Sequence, residues 1–255
     1  MGRRSGRAIR HRGVMKRGLL PFVFLNAAMT ADGKLAPATR HFEPFAGPRD
    51  RENLLELRAT ADAVMAGART VDLDRVNMGP GPARFRRKRL QRGLAEYNLR
   101  VIVSGHGSIN PKAEIFQHRF SPIIILTGES IGEKKLRQLQ SLADEVKVVG
   151  KDGVDFEAAF RWLREKWNVK RLLCEGGGEV NGAVFRAGLV DELHLTISPV
   201  IFGGRNAPTL ADGPGVERLA QAARLRLVSM KRVAADLFLV YGRDDHPSRE
   251  NLARV

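Results

Sequence analysis

Glu175 closes a short apolar run, Leu172, Leu173 and Cys174, and three glycines follow it, Gly176, Gly177 and Gly178. A helix is expected over residues 180–186, and a second apolar run covers 193–200. Strand, glycine turn, helix and strand is how an open parallel sheet offers a helix N-terminus to a phosphate. Glycines let the backbone pass close to a pyrophosphate, and the free N–H groups at the helix start bind its charge. The spacing is not G-x-G-x-x-G, so the glycines alone fit a tight strand-to-helix turn equally well. A carboxylate at the carboxyl end of a strand points to a ligand site, because open α/β sheets bind their ligands there. Asp32, in Thr30-Ala31-Asp32-Gly33-Lys34, is a second carboxylate just past an apolar strand. Asp-Gly is also a favoured turn pair, so this turn has a purely structural reading too.

Other chemistries find little support. One cysteine, Cys174, supplies neither a disulfide nor a thiolate zinc cluster, and it reads as a small buried strand residue. The histidines at 11, 41, 106, 118, 194 and 246 lack metal-ligand spacing. The H-x-E…P-C-x-x-C deaminase signature and G-x-S-x-G are both missing. A nicotinamide reductase needs none of these. Its cofactor carries the hydride, and the protein supplies position and electrostatics.

The elements that would position these residues follow from the apolar pattern. Strands are expected over 21–28, 62–67, 99–104, 122–127, 145–149, 171–173 and 193–200. Two closing segments, 225–230 and 237–241, read as an antiparallel hairpin on an otherwise parallel sheet. Helices are expected over 50–60, with Asp50 as its cap and Leu54, Leu55 and Leu57 inward, then from about 86 through 94, and over 133–142. A fourth, over 155–167, carries Phe156, Phe160, Leu163 and Trp167 on one stripe, a core-packing pattern. Strands alternating with helices call for right-handed crossovers and an α/β fold. Segment 29–47 reads as a long loop over the sheet edge, and the turn-rich segment 71–85 as a cover for the mouth of the site. With 255 residues, 43% apolar and 28% charged, the chain fits one soluble domain. Its expected parts are a basic arm (1–18), the domain (19–243) and a polar tail (244–255). No apolar run approaches a membrane span and no secretory signal precedes the domain, so a cytoplasmic location is expected.

The formal net charge is +15, with five arginines in residues 1–14 and six Lys/Arg in 83–92. A basic patch is the footprint of nucleic-acid binding. Neither run interleaves aromatics, however, and anionic substrates and dinucleotides also favour a basic surface. The second run is read as a solvated basic helix near an anion site.

Several segments together resemble the reductase domain of the riboflavin-biosynthesis bifunctional deaminase-reductase family and its stand-alone relatives. They are FLNAAMTADGKLA (24–36), LRATADAVMAGARTV (57–71), the CEGGG block (174–178), VDELHLTISPVIFGG (190–204) and DLFLVYGR (236–243). The resemblance implies a dihydrofolate-reductase-like three-layer α/β/α fold, an NADPH cofactor and a homodimer. It implies reduction of 5-amino-6-(5-phosphoribosylamino)uracil at the sugar C1′; a same-fold reductase of another pterin-like heterocycle is the alternative. Cofactor contacts would fall at Ala28, Thr70, Asp74, Ser104, Gly177, Gly178, Glu179, Val180 and Asn181, with His106 and Ser108 near a 2′-phosphate. Substrate contacts would fall at Asp32, Arg58 and Glu175, and Asp32 and Glu175 are the candidate proton carriers. The sequence also departs from the family. The arginine expected to hold the substrate phosphate is Gly81 here, and the family's serine and tryptophan fall at Phe42 and Pro44. Arg75, Arg84, Arg86 and Arg87 are the cations that could substitute.

Overall fold

A computed structural model describes residues 18–41, 44–72 and 76–244. Nine strands form one sheet: β1 (Phe22–Thr30), β2 (Ala63–Gly67), β3 (Leu99–Val103), β4 (Ile123–Thr127), β5 (Glu145–Val148), β6 (Arg171–Cys174), β7 (Glu192–Ser198), β8 (Leu225–Val233) and β9 (Asp236–Arg243). Their order is β5-β4-β3-β2-β6-β1-β7-β9-β8. The first seven run parallel, while β9 pairs antiparallel with β7 and with β8. The expected terminal hairpin is therefore present at the sheet's outer edge. Helices α1 (Pro48–Arg58), α2 (Ala68–Val71), α3 (Ala83–Gln91), α4 (Glu114–Gln117), α5 (Glu133–Leu142), α6 (Phe156–Lys166) and α7 (Gly178–Arg186) fill the connections.

The central strands are continuous apolar runs because both faces are covered. Alternate residues enter separate cores. Leu25, Met65, Val101, Ile124, Leu172 and Cys174 face one side, where Phe156, Phe160 and Leu163 of α6 pack. Phe24, Val64, Ala66, Ile102, Ile125 and Leu173 face the other. Asp155 caps α6 by accepting from the Ala158 amide, and the expected apolar stripe of this helix is its buried face. Burial in that core pushes the Cys174 thiol up to about 12, in keeping with an inert packing residue.

Two expectations need correction. Asp50 does not cap α1: the cap is Gly47, Pro48 opens the helix, and the Asp50 side chain turns inward to the Thr196 hydroxyl on β7. The basic run 83–92 is not simply a solvated face. It forms α3, whose Arg84 and Lys88 reach Glu52 and Glu56 of α1. Arg89 is 1% exposed and donates to the carbonyls of Arg58, Ala61 and Ala95. Helix α1 ends at Arg58, and the guanidinium ties that last carbonyl to the turn that follows at Ala61. Burial lowers Arg89 to about 10, which leaves it charged at neutral pH. The arm (1–17) and most of the tail (245–255) lie outside the described residues.

Candidate active site

Glu175 follows β6 immediately, and its backbone N–H donates to Met65 O, so the strand end is pinned between β1 and β2. Its carboxylate receives both arms of one guanidinium: Arg58 Nε and Nη2 each lie 2.6 Å from an oxygen. Arg58 Nη1 donates to Gly79 O at 2.7 Å. Both side chains of the pair are 11% exposed. A bidentate, charge-assisted pair of this kind fixes direction as well as charge. Each carboxylate oxygen keeps lone-pair capacity for a further donor. Sequence reasoning expected Arg58 and Glu175 each to meet substrate; the structure adds that they are first partners of one another.

The glycine turn divides its labour. Gly176 and Gly177 have φ of +80° and +51°, a region that only glycine enters freely. A Cβ on Gly177 would lie 3.1 Å from the Thr70 hydroxyl, so Thr70 borders the turn. The backbone N–H groups of Gly178, Glu179 and Val180 start α7 without intrahelical acceptors, whereas Asn181 N already bonds to Gly177 O. These orphan donors fit a pyrophosphate. Gly178 has a packing task as well: its missing Cβ makes room for Thr209 O and Asp212 Oδ2, each 2.4 Å from the ideal position. Asn181 also turns inward, donating to Leu210 O and receiving the Cys174 thiol. Its side chain thus anchors the 209–212 loop.

The remaining expected residues ring the same strand ends. Ala28 lies on the sheet face beneath α1, beside Thr196 of β7. Ser104 follows β3, and its hydroxyl donates to Ser108 O at 3.3 Å. Lys135, at the start of α5, reaches Ser108 Oγ and His106 O, each at 3.3 Å. Ser130 Oγ lies 3.4 Å from His106 Nδ1. Glu179 is exposed and paired with Arg69, and Val180 packs against Gly67. Asp74 and Arg75 lie outside the described residues.

Asp32 is a tether. Its carboxylate accepts from the Thr30 hydroxyl at 2.6 Å and from the Phe202 and Gly203 amides at 3.2 and 2.7 Å. The Thr30 bond foremost, then the two amides, hold it below the usual carboxylate range. An acid so stabilised in its ionised form is a poor proton donor. Its grip positions the 202–203 loop, where Phe202 meets the Phe45 ring edge-on just before α1. Gly81, where the family's arginine was expected, has φ +78° and would place a Cβ 2.7 Å from Leu55. A side chain there would strain the backbone and displace Leu55. Of the proposed substitutes, Arg84 and Arg86 engage Glu52 and Glu96.

Sequence reasoning missed the floor of the cleft. Asn26 of β1 and Thr196 and Ser198 of β7 lie on its α1-facing side, with Asp50 above and Asp236 of β9 nearby. Asn26, alone polar in the run FVFLNAAM, was the available signal. Surface hollows lie near Pro21 and Asp191 and near Asn53 and Arg92, away from these strand ends.

Comparison with known proteins agrees with this arrangement. The sequence profile described as the RibD C-terminal domain matches residues 21–239. The chain belongs to the RibD C-terminal domain family. A Methanothermobacter thermautotrophicus protein named 2,5-diamino-6-ribosylamino-4(3H)-pyrimidinone 5′-phosphate reductase is 35% identical over 221 residues, 87% of this chain and 97% of that one. A protein of the same name from Archaeoglobus fulgidus is 32% identical over 193 residues, 76% of this chain and 87% of that one. Among solved structures, a pyrimidine reductase-like protein from Corynebacterium diphtheriae superposes with a TM-score of 0.72 at 22% identity, covering 89% of this chain and 93% of that one. That likeness shows the fold. The RibD C-terminal domain fold of this chain is thus the dihydrofolate-reductase-like one, and its relatives are named reductases. No helix among the described residues is long and apolar enough to cross a membrane.

Proposed function

We propose that this protein is an NADPH-dependent reductase of riboflavin biosynthesis, acting on a 6-ribosylaminopyrimidine 5′-phosphate. The observation that carries the reading is the Arg58–Glu175 pair standing directly beside the orphan N–H groups of α7, at the carboxyl ends of parallel strands. Both sequence relatives are named for the 2,5-diamino-4(3H)-pyrimidinone. That compound and the uracil named in the sequence analysis differ only at ring position 2, amino or oxo. The 2-amino compound is the better-supported substrate.

The nicotinamide, when bound, supplies the hydride. In the substrate's ring-opened imine a C–H bond forms at C1′, the C=N π pair moves to nitrogen, and that nitrogen takes a proton. The chain's part is to bind, orient and neutralise. The first turn of α7 holds the pyrophosphate, Ser104 and Thr70 border the dinucleotide, and Ala28 leaves the sheet face flat. Glu175, aimed by Arg58, accepts from substrate donors. Lys135, Ser108 and His106 form a cationic, hydroxyl-bearing turn suited to a 2′-phosphate, which favours NADPH over NADH. A second copy is expected to cover β8, whose residues 226–232 are exposed and include Leu227, Val228 and Met230. Light scattering of the purified protein tests that dimer.

The direct test is turnover of the 2-amino substrate with NADPH and with NADH, in wild type and in Lys135→Ala. NADPH should be preferred, and the variant should lose about tenfold in kcat/KM for NADPH only, as expected for one charge-assisted phosphate contact. No consumption of either nicotinamide would contradict the reading.

A further inference from the structure

The sheet face beneath the N-terminal half of α1 is built differently from the Arg58–Glu175 end. Asp50, Leu54 and Arg58 stand at i, i+4 and i+8 and share one stripe. Arg58 meets Glu175 beyond β6, and Asp50 meets the Thr196 hydroxyl on β7. Although α1 lies over the sheet, none of its residues is fully buried. Below it, three polar atoms are shut away from solvent without a partner: Asp50 Oδ1, Asn26 Oδ1 and Ser198 Oγ. Asn26 is 9% exposed and Ser198 1%. Ser198 is two residues beyond Thr196 on the same strand face, and Asn26 is two residues before Ala28, the neighbour of Thr196 on β1. Buried polar groups almost always find partners, so three orphans under one stretch of α1 call for an explanation. Asp50 is a costly member of the set, because burial, opposed by the Thr196 bond, and the nearby Asp236 both disfavour its charge.

We propose that Asp50 determines specificity at the pyrimidine ring, accepting hydrogen bonds from the adjacent N3–H and 2-amino groups while Asn26 and Ser198 meet the ring's other polar atoms. The inference rests on the reductase reading above. A 2-amino-4(3H)-pyrimidinone presents two donors side by side, which matches a carboxylate that can only accept. The 2-oxo ring presents a donor beside an acceptor, and its O2 would face a carboxylate oxygen. An amide at position 50 reverses the match, with Oδ1 accepting from N3–H and Nδ2 donating to O2.

The experiment compares the 2-amino and 2-oxo phosphoribosylaminopyrimidines as substrates of the NADPH-loaded enzyme, in wild type and in Asp50→Asn. Wild type should favour the 2-amino ring. In Asp50→Asn the ratio of the two kcat/KM values should fall about tenfold or more, the scale of one hydrogen bond to a charged group. The KM for NADPH should not change, and the melting temperature should hold or rise because a charge disfavoured by burial and by Asp236 has gone. Asp50→Ala serves as the second variant; it should lose the preference without gaining one for the 2-oxo ring. An unchanged ratio in either folded, NADPH-binding variant overturns the inference while leaving the proposed function standing. A wild type that reduces neither compound overturns both.

Discussion

Two halves of one sheet face different problems. Through β2, β3 and β4 every strand residue is buried, and only Arg100 and Thr127 are polar. Arg100 spends its guanidinium on Ile115 O, Ser121 O and Ser121 Oγ and stacks on Phe120. Across β1, β7 and β9 the α1-facing surface instead carries Asn26, Thr30, Thr196, Ser198 and Asp236, with several atoms unpartnered. The first half stores stability in apolar burial. The second gives some of it up by keeping polar groups on the face where the proposed ring site would lie.

Mutations should separate the halves. The largest expected loss of stability is in the sealed half: Ile124→Ala removes a fully buried side chain and should cost about 2–5 kcal/mol in denaturant unfolding, with the KM for NADPH unchanged. Arg58→Met comes next. It strands Glu175 in a mostly dry cleft and should cost roughly 2–4 kcal/mol, less than a wholly buried pair would. Adding Glu175→Gln should recover part of that stability but none of the activity, an outcome that sets the pair apart from simple packing. Gly182→Ala should be milder, about 1–3 kcal/mol. Its Cβ would fall 2.0 Å from Asp212 O, so the 209–212 loop must move.

The smallest effect is a pH dependence at Asp32. The Thr30 hydroxyl and the 202–203 amides lower its folded pKa below the unfolded value of about 4. Its contribution is therefore present at neutral pH and is lost as pH falls through the folded pKa. The melting-temperature gap between wild type and Asp32→Asn should be open at pH 7 and close in acid. A gap that stays constant across that range would mean Asp32 does not tether the loop.

Much of the architecture could be read from periodicity, because the buried parallel strands are short apolar runs bounded by Gly, Pro and polar turns. All nine expected strands are present, and the α6 stripe is its buried face. The misreadings share one cause. Asp50 and Arg89 each have a local role that their type suggests: cap and surface charge. Each was instead recruited by a partner far away in sequence, namely Thr196 and Arg58 O. Spacing along a chain does not report such meetings. The cleft floor stayed hidden for the same reason, since it is assembled from β1, β7, β9 and the start of α1.

The central claim is that reduction takes place in the cleft between the 175–178 turn and α1. Single-turnover hydride transfer in Glu175→Gln, with NADPH saturating and the 2-amino substrate supplied, tests it most directly. Losing a hydrogen bond to a charged group should slow the transfer about thirtyfold or more, with the Kd for NADPH unaltered. A folded variant that transfers hydride as fast as wild type would place the chemistry elsewhere in the molecule.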